Sequence, residues 1–315
     1  MRIIEYKYPC GSLDEIRGCV VALGFFDGVH LGHRALICDT VRLAKDRGCP
    51  SAVLTFPSEG GIKSGISRIY PTDVKLSLIE GLGVDVCVLA DFESVRDLSA
   101  EEFVGRVIVG SLGAEAALAG EDYRFGKGAG GDSDALVRLM RSYGKEAFIH
   151  RMESCTLDGK ETRISATLIR DYLTRGDVIA AARLLGAPYK IVSRVMHGEG
   201  LGRKLGFPTV NTELPDSSML RSGVYQTRIR VGERAYTALT NVGTCPTFGE
   251  RRLHAESFII DFDEQIYGER VEIEFLSFIR EERSFASAEE LISEVQRNIR
   301  EVRGALSAEE GKNGR

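Results

Sequence analysis

The chain has 315 residues, of which 43% are hydrophobic and 28% charged, and its formal net charge is −5. These values are typical of a soluble globular protein and, from length alone, of about two domains. The slight acidity excludes bulk attraction to nucleic acid or to an anionic membrane, so local groups and metal must hold any phosphate ligand. No run approaches the ~18 apolar residues of a membrane span, and the first residues form no apolar signal segment.

The cysteines indicate the cellular compartment. There are seven of them, an odd number, and none forms a C-x-x-C pair. This distribution favours reduced thiols in the cytoplasm over a disulfide framework or a zinc site. We therefore expect a cytoplasmic protein.

The first half of the chain alternates between strand-like and helix-like patterns. The apolar runs predict buried parallel strands at 19–24, 51–56, 85–90, 115–119 and 147–151. The amphipathic stretches between them predict helices near 32–47, 72–82, 99–109 and 132–143. This order predicts an α/β fold with a doubly wound parallel sheet, in which ligands bind beyond the carboxyl ends of the strands.

The turn at 24–33, G-F-F-D-G-V-H-L-G-H, follows the first of these strands. Its glycines allow a close approach of the backbone to phosphate, and the free N–H groups of the following helix favour negative charge. His30 and His33 are three residues apart and therefore face the same way on a helical turn. The alternative is a glycine-rich strand-to-helix turn with no ligand, as many α/β folds contain. The spacing fits neither a Walker A loop nor a dinucleotide fingerprint.

These ten residues resemble the G-x-F-D-x-x-H-x-G-H signature of the cytidylyltransferase-like nucleotidyltransferases. That resemblance implies transfer of a nucleotide monophosphate from a nucleoside triphosphate. It leaves the acceptor open.

After residue 187 the pattern changes. Two helices are expected before it, at 166–174 and 177–185, and strands after it at 189–197, 223–230, 234–242, 253–262 and 270–279. Several short strands without helices between them predict a small antiparallel β-barrel, followed by a charged C-terminal helix near 286–301. We therefore expect domains at 1–187 and 188–305 and a frayed tail at 306–315.

A second glycine-rich segment runs from Gly198 to Asn211 and carries positive charge at Arg203 and Lys204. Thr209 and Asn211 are two apart in extended chain and so point to the same face. Hydroxyl and carboxamide oxygens suit Mg²⁺, which proteins commonly share with phosphates. The alternative is a flexible hairpin with a surface threonine and asparagine.

This segment resembles the G-x-x-x-G-R-x-L-G-F-P-T-x-N motif of riboflavin kinases. Matching motifs follow at 241–249, 255–268 and 275–282. From about residue 15 to about 303 the chain resembles the bacterial bifunctional riboflavin kinase/FAD synthetase family. The resemblance implies phosphorylation of riboflavin to FMN by the second domain and adenylylation of FMN to FAD by the first, with ATP as co-substrate and Mg²⁺ as cofactor.

The resemblance also implies site residues. In the kinase domain Glu256 is the general base, Thr209 and Asn211 hold the metal, and the phosphates bind at Gly198, Gly200, Gly202, Arg203, Gly206 and Pro208. In the first domain His30 and His33 stabilise the α-phosphate, and the nucleotide-binding residues are Gly24, Phe25, Asp27, Gly28, Asp122, Ser165, Thr167 and Arg170. Without the resemblance, Glu256 reads as a solvent-facing strand residue, Asp122 as a turn former and Ser165 as a helix N-cap.

Two positions depart from the family pattern. Ala166 stands where the family's S-S-T motif has its second serine, and the loop 57–62 lacks the family's histidine. These departures motivate an alternative, an active kinase with an impaired adenylyltransferase domain. A flavin carrier is a second alternative, but it would not need a base, metal ligands and two phosphate sites. We expect small-molecule substrates, no nucleic-acid or membrane partner, and leave a homo-oligomer open.

Overall fold

The computed structural model describes residues 1–59, 67–151, 154–157, 159–198, 200–215, 218–244 and 253–313, without the side chains of 201, 204 and 305–313. The chain divides into two units, Met1–Ala166 and Thr167–Arg315, and each is described by itself. No described helix is long and apolar enough to cross a membrane.

The first unit is built on a six-stranded parallel sheet with the order β1-β4-β3-β2-β5-β6. Its strands are β1 Arg2–Tyr6, β2 Val20–Leu23, β3 Ser51–Thr55, β4 Val86–Ala90, β5 Ala116–Gly120 and β6 Glu146–His150. The five predicted strands and the doubly wound sheet are confirmed. The edge strand β1 was not predicted, because its charged residues interrupt any apolar run.

Helices cover both faces of this sheet. They are α1 Leu31–Arg47, α2 Thr72–Glu80, α3 Phe92–Val95, α4 Ala100–Glu102, a π-helix Phe103–Ser111 and α5 Ser133–Ser142. The predicted helix near 99–109 therefore exists, but most of it has π-helical hydrogen bonding. Three single-turn 3₁₀ segments lie at Asp14–Ile16, Asp27–Val29 and Lys127–Ala129, and a small hairpin is formed by β7 Ser154–Leu157 and β8 Lys160–Arg163.

The two central strands explain why the turn after β2 is held firmly. All four residues of β2 and all five of β3 are buried. Val21 and Leu23 pack into one hydrophobic cluster, and Val20 and Ala22 pack into another on the opposite face. Fully burying one such aliphatic side chain contributes about 1.5–3 kcal/mol. The carboxyl end of β2 is therefore a rigid support for the residues that follow it.

The second unit contains a closed antiparallel barrel with the order β10-β13-β12-β11-β14-β9. Its strands are β9 Tyr189–Met196, β10 Thr209–Glu213, β11 Gly223–Val231, β12 Arg234–Thr244, β13 Leu253–Ile259 and β14 Arg270–Arg280. The predicted barrel is confirmed. The segment predicted only as extended chain is β10, which closes the barrel by pairing with both β9 and β13.

Helices flank the barrel strands in sequence. They are α6 Ala166–Arg175, α7 Val178–Leu185, the short α8 Leu201–Lys204 and α9 Ala288–Asn313. The division between the units falls at the start of α6, and α7 packs against β9 and β14 of the barrel. The predicted domain boundary at 187 lies after α7. The helix α9 continues to Asn313, so the segment 306–313 of the expected frayed tail is helical.

Candidate active sites

The turn after β2 requires glycine at two positions. A Cβ on Gly24 would lie 2.8 Å from the ring of Phe26, and a Cβ on Gly28 would lie 2.8 Å from Ile69 Cδ1. Gly28 also has φ +79°, and the neighbouring Phe26 has φ 55°. This backbone is strained for side chains with a Cβ, which is typical of functional turns.

Asp27 and Phe25 anchor the same turn to the rest of the first unit. Asp27 is buried, and its Oδ1 accepts a hydrogen bond of 2.9 Å from the backbone N–H of Ile69. The carbonyl oxygen of Phe25 accepts from Thr55 Oγ1 at 2.9 Å and from Lys75 Nζ at 3.3 Å. These two residues therefore shape the turn, and their contact with a nucleotide stays a prediction. Lys75 was not predicted.

The two histidines lie together at the start of α1. Their rings are stacked, with centroids 3.5 Å apart and planes inclined by 17°. His30 is the N-cap of α1, and its Nδ1 accepts a hydrogen bond of 3.3 Å from the backbone N–H of His33. The ring of Phe26 meets that of His33 edge-on at 5.3 Å. His33 Nδ1 is shielded from solvent and has no hydrogen-bond partner among the described residues.

Burial keeps both imidazoles neutral. Desolvation lowers the pKa of His30 to about 4. It also lowers the pKa of His33 well below 6.5, and electrostatic interaction with His30 and with the Lys75 ammonium group lowers this pKa further. Both rings are therefore uncharged near pH 7, and they can act toward a phosphate as N–H donors rather than as cations.

The other predicted residues of the adenylylation site fall on both sides of the division between the units. Asp122 Oδ2 accepts a bond of 3.4 Å from the exposed Arg163, within the first unit. Ser165 directly precedes α6, at the position expected of an N-cap. Thr167 Oγ1 accepts from Arg170 at 3.2 Å within the second unit. Of the altered loop 57–62, residues 60–62 lie outside the described ranges, and Glu59 accepts a bond of 3.0 Å from the N–H of Thr72 at the start of α2.

The second unit holds a cavity of about 290 Å³ between barrel strands and α9. Five predicted residues line it, namely Gly200, Gly202, Thr209, Asn211 and Glu256. The barrel register explains part of this grouping, since Asn211 on β10 and Asn241 on β12 both pair with Glu256 on β13. A carboxylate and two carboxamides therefore lie side by side on three neighbouring strands.

The glycine segment lies against the predicted metal ligands. A Cβ on Gly198 would come within 2.3 Å of Asn211 Nδ2, and a Cβ on Gly202 would come within 3.2 Å of Thr209 Oγ1. Gly200 and Gly206 have positive φ, at +69° and +85°. The predicted residues Gly198, Arg203, Gly206 and Pro208 flank the described lining of the cavity rather than belonging to it.

The donor set fits Mg²⁺. Thr209 and Asn211 offer neutral oxygens that face the glycine backbone at 198 and 202. Because no side chain stands there, phosphate oxygens can complete the coordination shell of the ion. The described residues contain no group of three or more His, Cys, Asp or Glu that could hold a metal.

Gly198→Ala is expected to disturb the predicted metal site. Because the new Cβ overlaps the Asn211 carboxamide, the amide must turn away. We expect the Mg²⁺ concentration for half-maximal rate of the riboflavin phosphorylation that the resemblance implies to rise by about tenfold. Gly304→Ala is the control, since its Cβ would meet nothing within 4 Å. An unchanged Mg²⁺ dependence in Gly198→Ala would remove Asn211 from the metal site.

Sequence reasoning missed several polar residues of the cavity. Arg280, Glu282, Arg283 and Asn298 line it, and Glu282 accepts a bond of 3.0 Å from Asn241 Nδ2. Glycine at position 243 leaves room for this carboxylate, since a Cβ at that position would lie 2.1 Å from Glu282 Oε1. The F-L-x-F-I-R-x-E match at 275–282 pointed to this stretch, but α9 carried no comparable signal. Part of the predicted motif at 241–249, residues 245–249, lies outside the described ranges.

The two units together define a class of protein. A glycine turn with paired histidines at the end of a central parallel strand is typical of a nucleotidyltransferase. A cavity that joins a carboxylate to oxygen ligands beside a glycine segment is typical of a phosphotransferase. The chain is therefore built as a two-part nucleotide-dependent transferase.

Comparison with known proteins identifies the family. Residues 13–168 match the family model described as FAD synthetase, and residues 185–306 match the one described as riboflavin kinase. The bifunctional riboflavin kinase/FMN adenylyltransferase of Bacillus subtilis (strain 168) is 35% identical over 313 residues, which are 96% of this chain and 97% of the relative. That of Pseudomonas fluorescens is 34% identical over 305 residues, 93% and 94% of the two chains.

A solved structure agrees over nearly the whole chain. The crystal structure of a Streptococcus pneumoniae protein named macrolide-efflux protein has a TM-score of 0.83 and 29% identity, covering 96% of this chain and 99% of that one. This chain belongs to the bifunctional riboflavin kinase/FMN adenylyltransferase family, with its FAD synthetase region N-terminal and its riboflavin kinase region C-terminal. The predicted family, fold class and pair of activities are thereby confirmed.

Proposed function

We propose that the barrel unit makes FMN from riboflavin and Mg-ATP and that the sheet unit makes FAD from FMN and ATP, through the residues assigned above. The observation that carries the kinase assignment is the cavity in which Glu256 lies beside Asn211 and Thr209. The observation that carries the second assignment is the stacked, neutral histidine pair on the glycine turn.

In the kinase step, the 5′-hydroxyl of riboflavin attacks the γ-phosphorus of ATP and ADP leaves. Glu256 accepts the hydroxyl proton, as a carboxylate within reach of a reacting hydroxyl can. Bound Mg²⁺ offsets the charge on the phosphate oxygens. Thr209 and Asn211 would hold that ion, and the glycine segment 198–206 would lie along the phosphates. One wall of the cavity is apolar and suits the flat ring system of riboflavin. It is formed by Leu239, Phe258, Leu291 and Val295.

In the adenylylation step, a phosphate oxygen of FMN attacks the α-phosphorus of ATP and pyrophosphate leaves. The FMN phosphate is already a nucleophile at neutral pH, so no side chain need remove a proton. His30 and His33 donate N–H groups to the oxygens on which charge develops.

The surroundings of the enzyme are also proposed. We place it in the cytoplasm, because the described cysteines at 10, 19, 38, 49, 87 and 155 are free thiols.

Chromatography of the flavins formed from riboflavin and Mg-ATP tests the proposal. FAD as the end product is expected and shows that Ala166 and the altered loop are tolerated. Accumulation of FMN without FAD would instead establish the alternative of an impaired first domain. Unchanged riboflavin, in oxidised and in reduced form, would overturn the kinase assignment.

A further inference from the structure

A buried lysine lies beneath the turn that carries the histidines. Lys75, on α2, is 0% exposed. Its ammonium group donates to the carbonyl oxygens of Phe25, in the turn, and Phe56, just after β3. Its Nζ also lies 4.5 Å from the centroid of the Phe25 ring. The lysine thus joins the ends of two central strands.

A charge at this place is costly for the fold. Two carbonyl oxygens accept hydrogen bonds from the ammonium group but do not neutralise its charge, and a buried cation is stabilised less than an exposed one. Burial lowers the pKa of Lys75 to about 8, although Asp27 and Glu59 act in the opposite direction. An apolar side chain of similar length would fill the same space without that cost. The buried charge therefore points to a role other than packing.

The electrostatic surroundings connect Lys75 to the histidine pair. The charged and titratable groups that face it are Asp27, Glu59, Arg68, Cys87 and His33. Its positive charge disfavours a second positive charge on His33, and it lies on the side of the turn where Asp27 is anchored. A fixed cation therefore adjoins the place where polyphosphate is proposed to bind, while both imidazoles stay neutral.

We propose that Lys75 is a positioning residue for adenylyl transfer, which fixes the Phe25 carbonyl of the histidine turn and places a positive charge near the imidazole of His33. This inference rests on the proposed FMN adenylylation. The residue acts through the turn and its electric field, and it does not touch the reacting atoms. Its loss should therefore affect transfer of the nucleotide and leave riboflavin phosphorylation alone.

Lys75→Met keeps the length and removes the charge. We expect kcat/KM for FMN adenylylation to fall on the order of 10–10²-fold, because the turn is no longer held in place. Riboflavin phosphorylation by the same protein should be unchanged, and it serves as an internal control. Lys45→Met, which removes an exposed lysine near the end of α1, should leave both activities unchanged.

The pH profile separates this role from a merely structural one. Without the lysine charge, the pKa of His33 rises, so the decline of kcat/KM at acid pH should begin at higher pH in Lys75→Met than in the wild type. Ionisations of the substrates cancel in this comparison. Lys75→Arg keeps the charge and should keep the wild-type acid limb even at a lower rate.

Three outcomes would overturn the inference. The first is an unaltered rate of adenylylation in a folded Lys75→Met protein, and the second is a lower rate with an unshifted acid limb. The third applies if Lys75→Met does not fold. In that case Lys75→Arg is the test, and a shifted acid limb of its kcat/KM profile would overturn the inference. Failure of the proposed function is distinct, since the wild-type protein would then form no FAD at all.

Discussion

Glu256→Gln is expected to lower the rate of riboflavin phosphorylation by about 10²–10⁴-fold, the range for loss of a general base. Gln has the same shape and keeps the hydrogen-bonding capacity of the side chain, but it cannot take the proton of the 5′-hydroxyl. FMN supplied directly should still become FAD at the wild-type rate. The measurement is a pair of flavin assays on one protein, one started from riboflavin and one from FMN.

A neighbouring carboxylate gives the matched control. Glu213 lies at the end of β10 and is exposed, and it pairs in register with His254 rather than with the cavity residues. Glu213→Gln removes one negative charge from the same strand pair and should leave both assays unchanged. Equal losses in the two variants would mean that general electrostatics of the barrel, not proton removal by Glu256, explains the effect.

Glu256 also shows how far the sequence could lead. Its position on a strand could be inferred from the alternation of residues 253–262, but an exposed strand glutamate is usually only a solvated residue. Its proximity to Asn211 and Asn241 depends on the register of β13 with β10 and β12. Register is a property of strands far apart in the chain, so only the resemblance to a family could assign the role beforehand.

The sheet unit was more predictable than its site. Buried parallel strands are short continuous apolar runs, and such runs are visible locally. The role of Lys75 could not be predicted, because a lysine in an amphipathic helix normally faces water. Nothing local shows that α2 turns this side chain toward the Phe25 carbonyl. The same limit hid the pairing of Glu282 with Asn241 across the barrel.

The two sites differ in how they meet phosphate. The cavity of the barrel unit offers a carboxylate and neutral oxygens, which need a metal ion to balance the charge of ATP. The turn of the sheet unit offers neutral imidazole donors and a buried cation from the protein itself. We therefore expect variants at one site to leave the chemistry of the other intact.

Replacing both His30 and His33 by alanine is expected to reverse the Glu256→Gln result. FMN should accumulate from riboflavin at the wild-type rate, while its conversion to FAD falls by about 10³-fold, because two donors to the developing charge are lost. His30 is also the N-cap of α1, so its loss alone can loosen the helix start. His30→Asn keeps an acceptor for the His33 N–H and separates the two effects.

His33→Gln isolates the second imidazole, since His30 remains to cap α1. We expect a loss of about 10²-fold in FAD formation with little change in KM for ATP, because a donor that acts on developing charge contributes mainly to kcat. His150→Ala removes a histidine of the same unit that pairs with Asp39 and should keep FAD formation. A His33→Gln enzyme with normal kcat and a raised KM would make the stacked pair a ground-state binding site. The catalytic role would then have to pass to another group near the turn.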